Sequence, residues 1–167
     1  MAIGQFNKGA SAAKPAPAKK SKWAGVKSSK PRDPVIHAGT YRLQIERGEV
    51  GRTGEWFKVH FTIAAQADGQ SMHADGDNVV LLFRTIDDAG QSRCKAFFVA
   101  AAGYDDDAGY DAADPDGAMI DAFFDRGEDS ALIGRFVDVR VSKGREKDDG
   151  DYYRECVWSP VADAEQG

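Results

Sequence analysis

Residues Glu55 to Ile63 alternate without a break. Phe57, Val59, Phe61 and Ile63 fall on one side of an extended chain, and Trp56, Lys58, His60 and Thr62 on the other. Side chains of a strand point alternately to its two faces, so this period predicts a half-buried strand with an apolar inner face. The run Thr40 to Glu46 alternates in the same way, with Tyr41, Leu43 and Ile45 inward. Gly48 predicts a bulge or bend, after which Val50 continues. The connection Gly51-Arg52-Thr53-Gly54 is short and glycine-bearing, so the two runs predict an antiparallel hairpin. Asn78 to Arg84 reads as a third strand, apolar on both faces at its centre.

The period then changes. Cys94, Phe97, Phe98, Ala101 and Ala102 recur at helical spacing, which predicts an amphipathic helix over 92–102 packed on the sheet. Ser92 is placed to cap it, Gly103 to end it, and Asp87-Asp88-Ala89-Gly90 to turn into it. Asp114-Pro115 predicts the start of a second helix, with Met119, Ile120, Phe123 and Phe124 as its core stripe and Gly127 as its end. Residues 133–141 predict a fourth strand with Val137, Val139 and Val141 inward. A charged hairpin loop over 142–151 leads to a fifth strand over 152–158. The faces of that strand, Tyr152/Arg154/Cys156/Trp158 and Tyr153/Glu155/Val157, are not ranked by period alone.

Two hairpins and a third strand with helices between strands three and four are the element order of an OB fold. The expected fold class is therefore mainly β with short helices: a five-stranded OB-fold-like barrel over 35–161, with a helical insertion between strands three and four. A segment of 34 residues precedes it and a short polar tail, 162–167, follows.

Charge divides the chain in the same places. The net charge of −5 argues against a nucleic-acid partner until its distribution is considered. Residues 1–34 carry eight Lys and Arg against Asp33 alone, while 104–131 carry ten acids against Arg126 alone. The first segment has no sustained apolar period, so a disordered basic arm is expected there, with Trp23 and Val26 as docking exceptions. Such an arm either holds phosphates loosely or only solubilises the chain. No apolar run could span a bilayer and no apolar segment follows the basic start, so a soluble cytoplasmic protein is expected. Cys94 and Cys156 have no metal spacing and read as free thiols.

Catalytic chemistry is hard to find. Neither glycine-bearing loop is a phosphate cradle. His37, His60 and His73 are too scattered for a metal pair and read as surface residues. Asp105-Asp106-Asp107 with Asp111 offers carboxylates to a divalent cation, but lacks the order of a calcium loop, and a solvated acidic loop accounts for it better. No enzyme, cofactor or metal is expected.

Binding chemistry is better represented. OB barrels bind across the outer face of strands two and three and the flanking loops. On these strands that gathers Arg52, Trp56, Lys58, His60, Arg84, Lys143, Arg145, Lys147, Tyr152, Tyr153 and Arg154. Aromatic platforms beside cations are what a single-stranded nucleic acid requires. The competing reading covers Trp56 with a loop or the N-terminal segment. Glu146, Asp148, Asp149 and Asp151 likewise make the last loop a candidate for a merely solvated tip.

Several stretches also resemble a known family: His37-Ala38-Gly39-Thr40-Tyr41, Glu49-Val50, Gly54 with residues 56–63, and Ala131 to Val141 followed by a charged hairpin and Tyr153-Arg154-Glu155. They are similar to small bacteriophage OB-fold single-stranded-DNA-binding proteins of replication and recombination gene clusters. The resemblance covers roughly residues 37–160 and rests on strand and turn patterns. It implies DNA or RNA single strands as ligand, replication or recombination proteins as partners, and the bacterial host cytoplasm as location. The alternative is an interaction module that uses the barrel as a scaffold for protein partners or as a homo-oligomer interface.

Overall fold

The computed structural model describes residues 34–67, 69, 71–126, 130–162, 165 and 166. The basic arm, with Trp23 and Val26, and the expected helix end at Gly127 lie outside them. Five strands form one antiparallel sheet in the order β3-β2-β1-β4-β5: β1 Gly39–Val50, β2 Trp56–Gln66, β3 Asn78–Arg84, β4 Phe136–Glu146 and β5 Tyr152–Pro160. Three helices lie between β3 and β4: α1 Asp88–Ala101, α2 Asp107–Ala113 and α3 Ala118–Arg126.

The inner faces are those that the alternation predicts. Phe57, Val59, Phe61 and Ile63 are fully buried, together with Tyr41, Leu43, Ile45, Val137, Val139 and Val141. The inward face of β5, undecided by period, is Tyr152/Arg154/Cys156/Trp158, and Tyr153, Glu155 and Val157 are exposed.

Barrel closure does not follow. Among the described residues no ladder joins the edge strands β3 and β5, and the sheet is open. Two contacts bridge the gap instead. The lead-in lies parallel to β3, with the Ile36 N–H donating to the Val80 carbonyl (3.0 Å) and the Val80 N–H to that of Pro34 (2.9 Å). Arg154 of β5 donates from Nε to the Ile36 carbonyl. Inside, the Trp158 ring of β5 lies 6.4 Å from Phe83 of β3 and 5.1 Å from Phe97 of α1. The sheet therefore curves around its core, and its edges meet through side chains and one inserted segment rather than through backbone pairing.

β1 continues to Val50 as expected, but the bulge expected at Gly48 lies earlier in the strand. The ladder with β2 slips between Arg42 and Leu43 and again between Ile45 and Arg47. Gly48 serves packing: a Cβ there would stand 2.4 Å from Cε1 of Phe123, so its absence lets α3 approach the strand.

α1 starts four residues before the expected Ser92. Asp87 is its cap, accepting from the Gly90 N–H at 2.6 Å, so the expected turn 87–90 forms the first turn of the helix. Cys94, Phe97, Phe98 and Ala101 face the core as their spacing requires. Burying each phenylalanine contributes about 1.5–3 kcal/mol. Burial pushes the Cys94 thiol up to about 12 and the Cys156 thiol to about 11, with Arg154 opposing the latter, which leaves two unreactive free cysteines.

The acidic stretch is structured rather than a solvated loop. Asp106 caps α2 by accepting from the Gly109 N–H (2.8 Å) and Tyr110 is buried beneath it. Asp114 caps α3, accepting from the Ala118 and Met119 N–H groups (both 2.9 Å), and takes the Tyr110 hydroxyl at 3.0 Å. The acids lie at helix starts because carboxylates satisfy N–H groups that have no partner within the helix.

The tail also departs from expectation. Glu165 is ion-paired with Arg42 at 2.8 Å, and the Gln166 amide both accepts from the Phe136 N–H (2.7 Å) and donates to its carbonyl (3.0 Å). Among the described residues no helix is long and apolar enough to cross a membrane.

Candidate nucleic-acid interface

The β4–β5 hairpin carries much of the expected site. β4 runs on to Glu146, so the expected loop 142–151 shrinks to a turn at 147–151, while β5 starts at Tyr152 as its pattern indicated. Two tyrosines beside the turn each have two cations close to the ring. Tyr153, 50 % exposed, has Arg145 Cζ 5.5 Å and Lys147 Nζ 5.3 Å from its ring centre. Tyr152, on the opposite face, has Lys143 Nζ at 5.0 Å and Arg154 Cζ at 5.1 Å. Such contacts hold flexible cations over a ring face at a gain of about 0.5–1 kcal/mol at exposed sites.

The hairpin acids belong largely to its turn. Asp149 accepts from the Asp151 N–H at 3.0 Å. Asp151 takes Lys147 at 3.3 Å and Arg154 at 3.4 Å. The backbone N–H of Tyr152 holds its carboxyl down at about 2 against the cost of burial, with Lys147 and Arg154 adding to the effect. Arg154 is committed to Asp151 and the Ile36 carbonyl, so it ties the lead-in to β5 rather than facing a ligand. Lys143 and Arg145 form no ion pair among the described residues and remain exposed.

On β2 the outer face differs from the open wall expected of it. Lys58 and His60 both reach Glu49 of β1, each at 3.3 Å, and Arg47 reaches the same carboxylate at 3.1 Å. Burial raises the Glu49 carboxyl, but hydrogen bonds from His60 and Lys58 outweigh it and leave the group below its ordinary range. His60 points outward as expected yet is only 7 % exposed, a correction to its reading as a surface residue. Glu49 was not among the expected site residues. A four-residue turn after Gly51, whose N–H donates to the Trp56 carbonyl, sets 51 opposite 56 and hence 49 opposite 58, so counting back from the turn could have found it.

Trp56 is half-buried. Its indole lies against Gly51, where a Cβ would stand 2.4 Å from Cε2, and Lys58 Nζ lies 5.9 Å from its ring centre. Its other surroundings are a cleft of about 990 Å³ shared with α1 and α3. Beside it on β3, Arg84 is exposed opposite Trp56, and Leu82, 57 % exposed, stands opposite Lys58. Arg52 is exposed in the β1–β2 turn. The β2 residues and the hairpin residues thus form two groups. The row His60–Val80–Val35 and the Ile36–Arg154 contact link them through neighbouring backbone.

His73 also contradicts the expectation of a surface histidine. It is 5 % exposed, its Nε2 accepts from the His37 N–H at 3.0 Å, and the two imidazole rings lie 5.1 Å apart. Burial first, and then the charge of His37, lower its pKa from the usual 6.5. Among the described residues no three His, Cys, Asp or Glu side chains are grouped to hold a metal ion. No protein-family model matches the chain, and no curated protein matches it.

Proposed function

We propose that this protein is a non-catalytic single-stranded-DNA-binding protein of OB type. In this reading it coats exposed strands during replication or recombination, as the resemblance to phage proteins implies. The reading is carried by the β4–β5 hairpin, where Arg145 and Lys147 both lie close to the exposed Tyr153 ring. A base stacks on such a ring, while the flanking cations neutralise the phosphates on either side of it. Lys143, over Tyr152 on the opposite face of β5, adds a further cation, and Leu82 and Arg84 add a second patch on β3. The strand order, with helices inserted between β3 and β4, suits a partly open five-stranded barrel. Specificity for sequence is weak, because stacking and phosphate contacts read no base edges.

Titration of fluorescent oligo-dT and of a duplex of equal length, followed by anisotropy, tests the reading. If Arg84, Lys143 and Arg145 each neutralise one phosphate, a rise from about 50 to about 200 mM salt weakens single-strand binding roughly 20-fold. Absence of binding at the lower salt, or equal affinity for the duplex, overturns it.

A further inference from the structure

The cleft beside Trp56 has the wrong charge for a nucleic acid. Its walls are apolar: Val50 of β1, Trp56 and Phe57 of β2, Cys94 of α1, and Ile120 and Phe124 of α3. They are held rigidly, with the Phe124 ring edge-on to Phe57 at 4.7 Å. At about 990 Å³ the cleft has room for one or two large side chains. Its polar margin is acidic, since Asp88 and Asp125 both line it. Among the described residues the one cation in the lining, Lys95, gives its ammonium to Asp111 at 2.8 Å and lies within the field of Asp107. An apolar hollow rimmed by carboxylates that pair with no cation among the described residues repels a phosphate chain and attracts a cationic one.

We propose that this cleft is a docking site for a protein partner, which inserts an aromatic or branched aliphatic side chain flanked by lysine or arginine. The apolar anchor supplies affinity, as buried aromatic anchors do at protein interfaces. The flanking cations meet Asp88 and Asp125 and set the choice of partner. The site lies apart from the β4–β5 hairpin and does not depend on the nucleic-acid reading. Trp56 then belongs chiefly to this cleft, which accounts for an indole that is neither buried in the core nor open to solvent.

The test is an NMR titration of the full ¹⁵N-labelled chain with three capped tripeptides: lysyl-tryptophanyl-lysine, alanyl-tryptophanyl-alanine and glutamyl-tryptophanyl-glutamate. The expected result is amide shifts at Val50, Cys94, Ile120 and Phe124. Affinity falls in that peptide order by about threefold or more per step and converges at high salt. In an Asp88→Asn, Asp125→Asn variant the lysyl peptide loses its advantage over the alanyl peptide. In Ser92→Trp, a change at an exposed position of α1, an indole fills the cleft and all three peptides lose binding while the remaining amide spectrum is retained. The proposal is overturned if millimolar lysyl peptide leaves the cleft amides unmoved, if the glutamyl peptide binds equally well, or if oligo-dT shifts the same amides.

Discussion

Glu49 stands directly opposite Lys58 in the β1–β2 ladder, and its carboxylate lies 3.3 Å from the lysine ammonium. The same carboxylate takes His60 and Arg47, so one acid restrains two cations and an imidazole on a face expected to present them to a ligand. Replacing Glu49 with Gln keeps the size and a hydrogen-bonding group while releasing the charge. Anisotropy with oligo-dT is expected to show about 3- to 10-fold tighter binding at low salt and a steeper salt slope. Lys58→Ala is expected to reverse the gain. An unchanged slope in Glu49→Gln would place the ligand away from this face.

Tyr153 offers the best-exposed stacking ring. Its replacement by Ala removes about 1–3 kcal/mol of stacking per base, so single-strand affinity is expected to fall by roughly 5- to 150-fold. Tyr153→Phe, which retains the ring, should bind nearly as the native chain does. Arg154→Ala is expected to act differently. It removes the donor to the Ile36 carbonyl and so costs about 1.5–3 kcal/mol of stability, as for a charge-assisted bond, which lowers the urea midpoint.

Two glycines separate backbone crowding from side-chain crowding. A Cβ on Gly90 would stand 1.7 Å from the carbonyl oxygen of Arg84, whereas on Gly51 it would meet the Trp56 indole. Gly to Ala inside a helix ordinarily gains about 1 kcal/mol. Gly90→Ala is expected to reverse that sign and cost at least about 2 kcal/mol, because the end of β3 must give way to α1. Gly51→Ala should cost less, since an indole at the edge of a cleft can turn aside. Urea unfolding of the two variants orders them directly.

Stability should fall on mild acidification. The pKa of His73 is lowered in the folded chain, so below its unfolded value of 6.5 the unfolded state binds more protons. The stabilisation is complete above that value and declines as pH falls through it. Protonating Nε2 also abolishes its acceptance of the His37 N–H. Urea midpoints between about pH 8 and 5 should decline in the native chain and decline less in His73→Gln. Glu49 and Asp151, both held below their ordinary ranges, add a further loss below the usual carboxylate pKa. It runs in the same direction and returns as pH rises.

Much of the fold was legible from period alone. The buried side of β2 follows from alternation, since a strand with four apolar residues on one face has only one way to cover them. The face of α1 that carries Phe97 and Phe98 follows equally from its spacing. The start of α1 did not, because Asp87 and Ser92 are both competent caps and the choice depends on how closely Gly90 can approach β3. α2 was hidden by composition: its acids suit an exposed loop as well as helix starts, and only Tyr110, buried from within that run, marks it as packed.

The sequence by itself determined the strands, their inner faces and the candidate cations, because these depend on neighbours two to four residues away. Only the tertiary structure decided which cations face solvent and which are restrained. It placed Glu49 over Lys58 and His60, drew Arg154 to the lead-in, set Trp56 in a cleft with α1 and α3, and left β3 and β5 without a ladder to each other among the described residues. Each depends on register and curvature between segments far apart in the chain, where the energy is set by distances that no local pattern records.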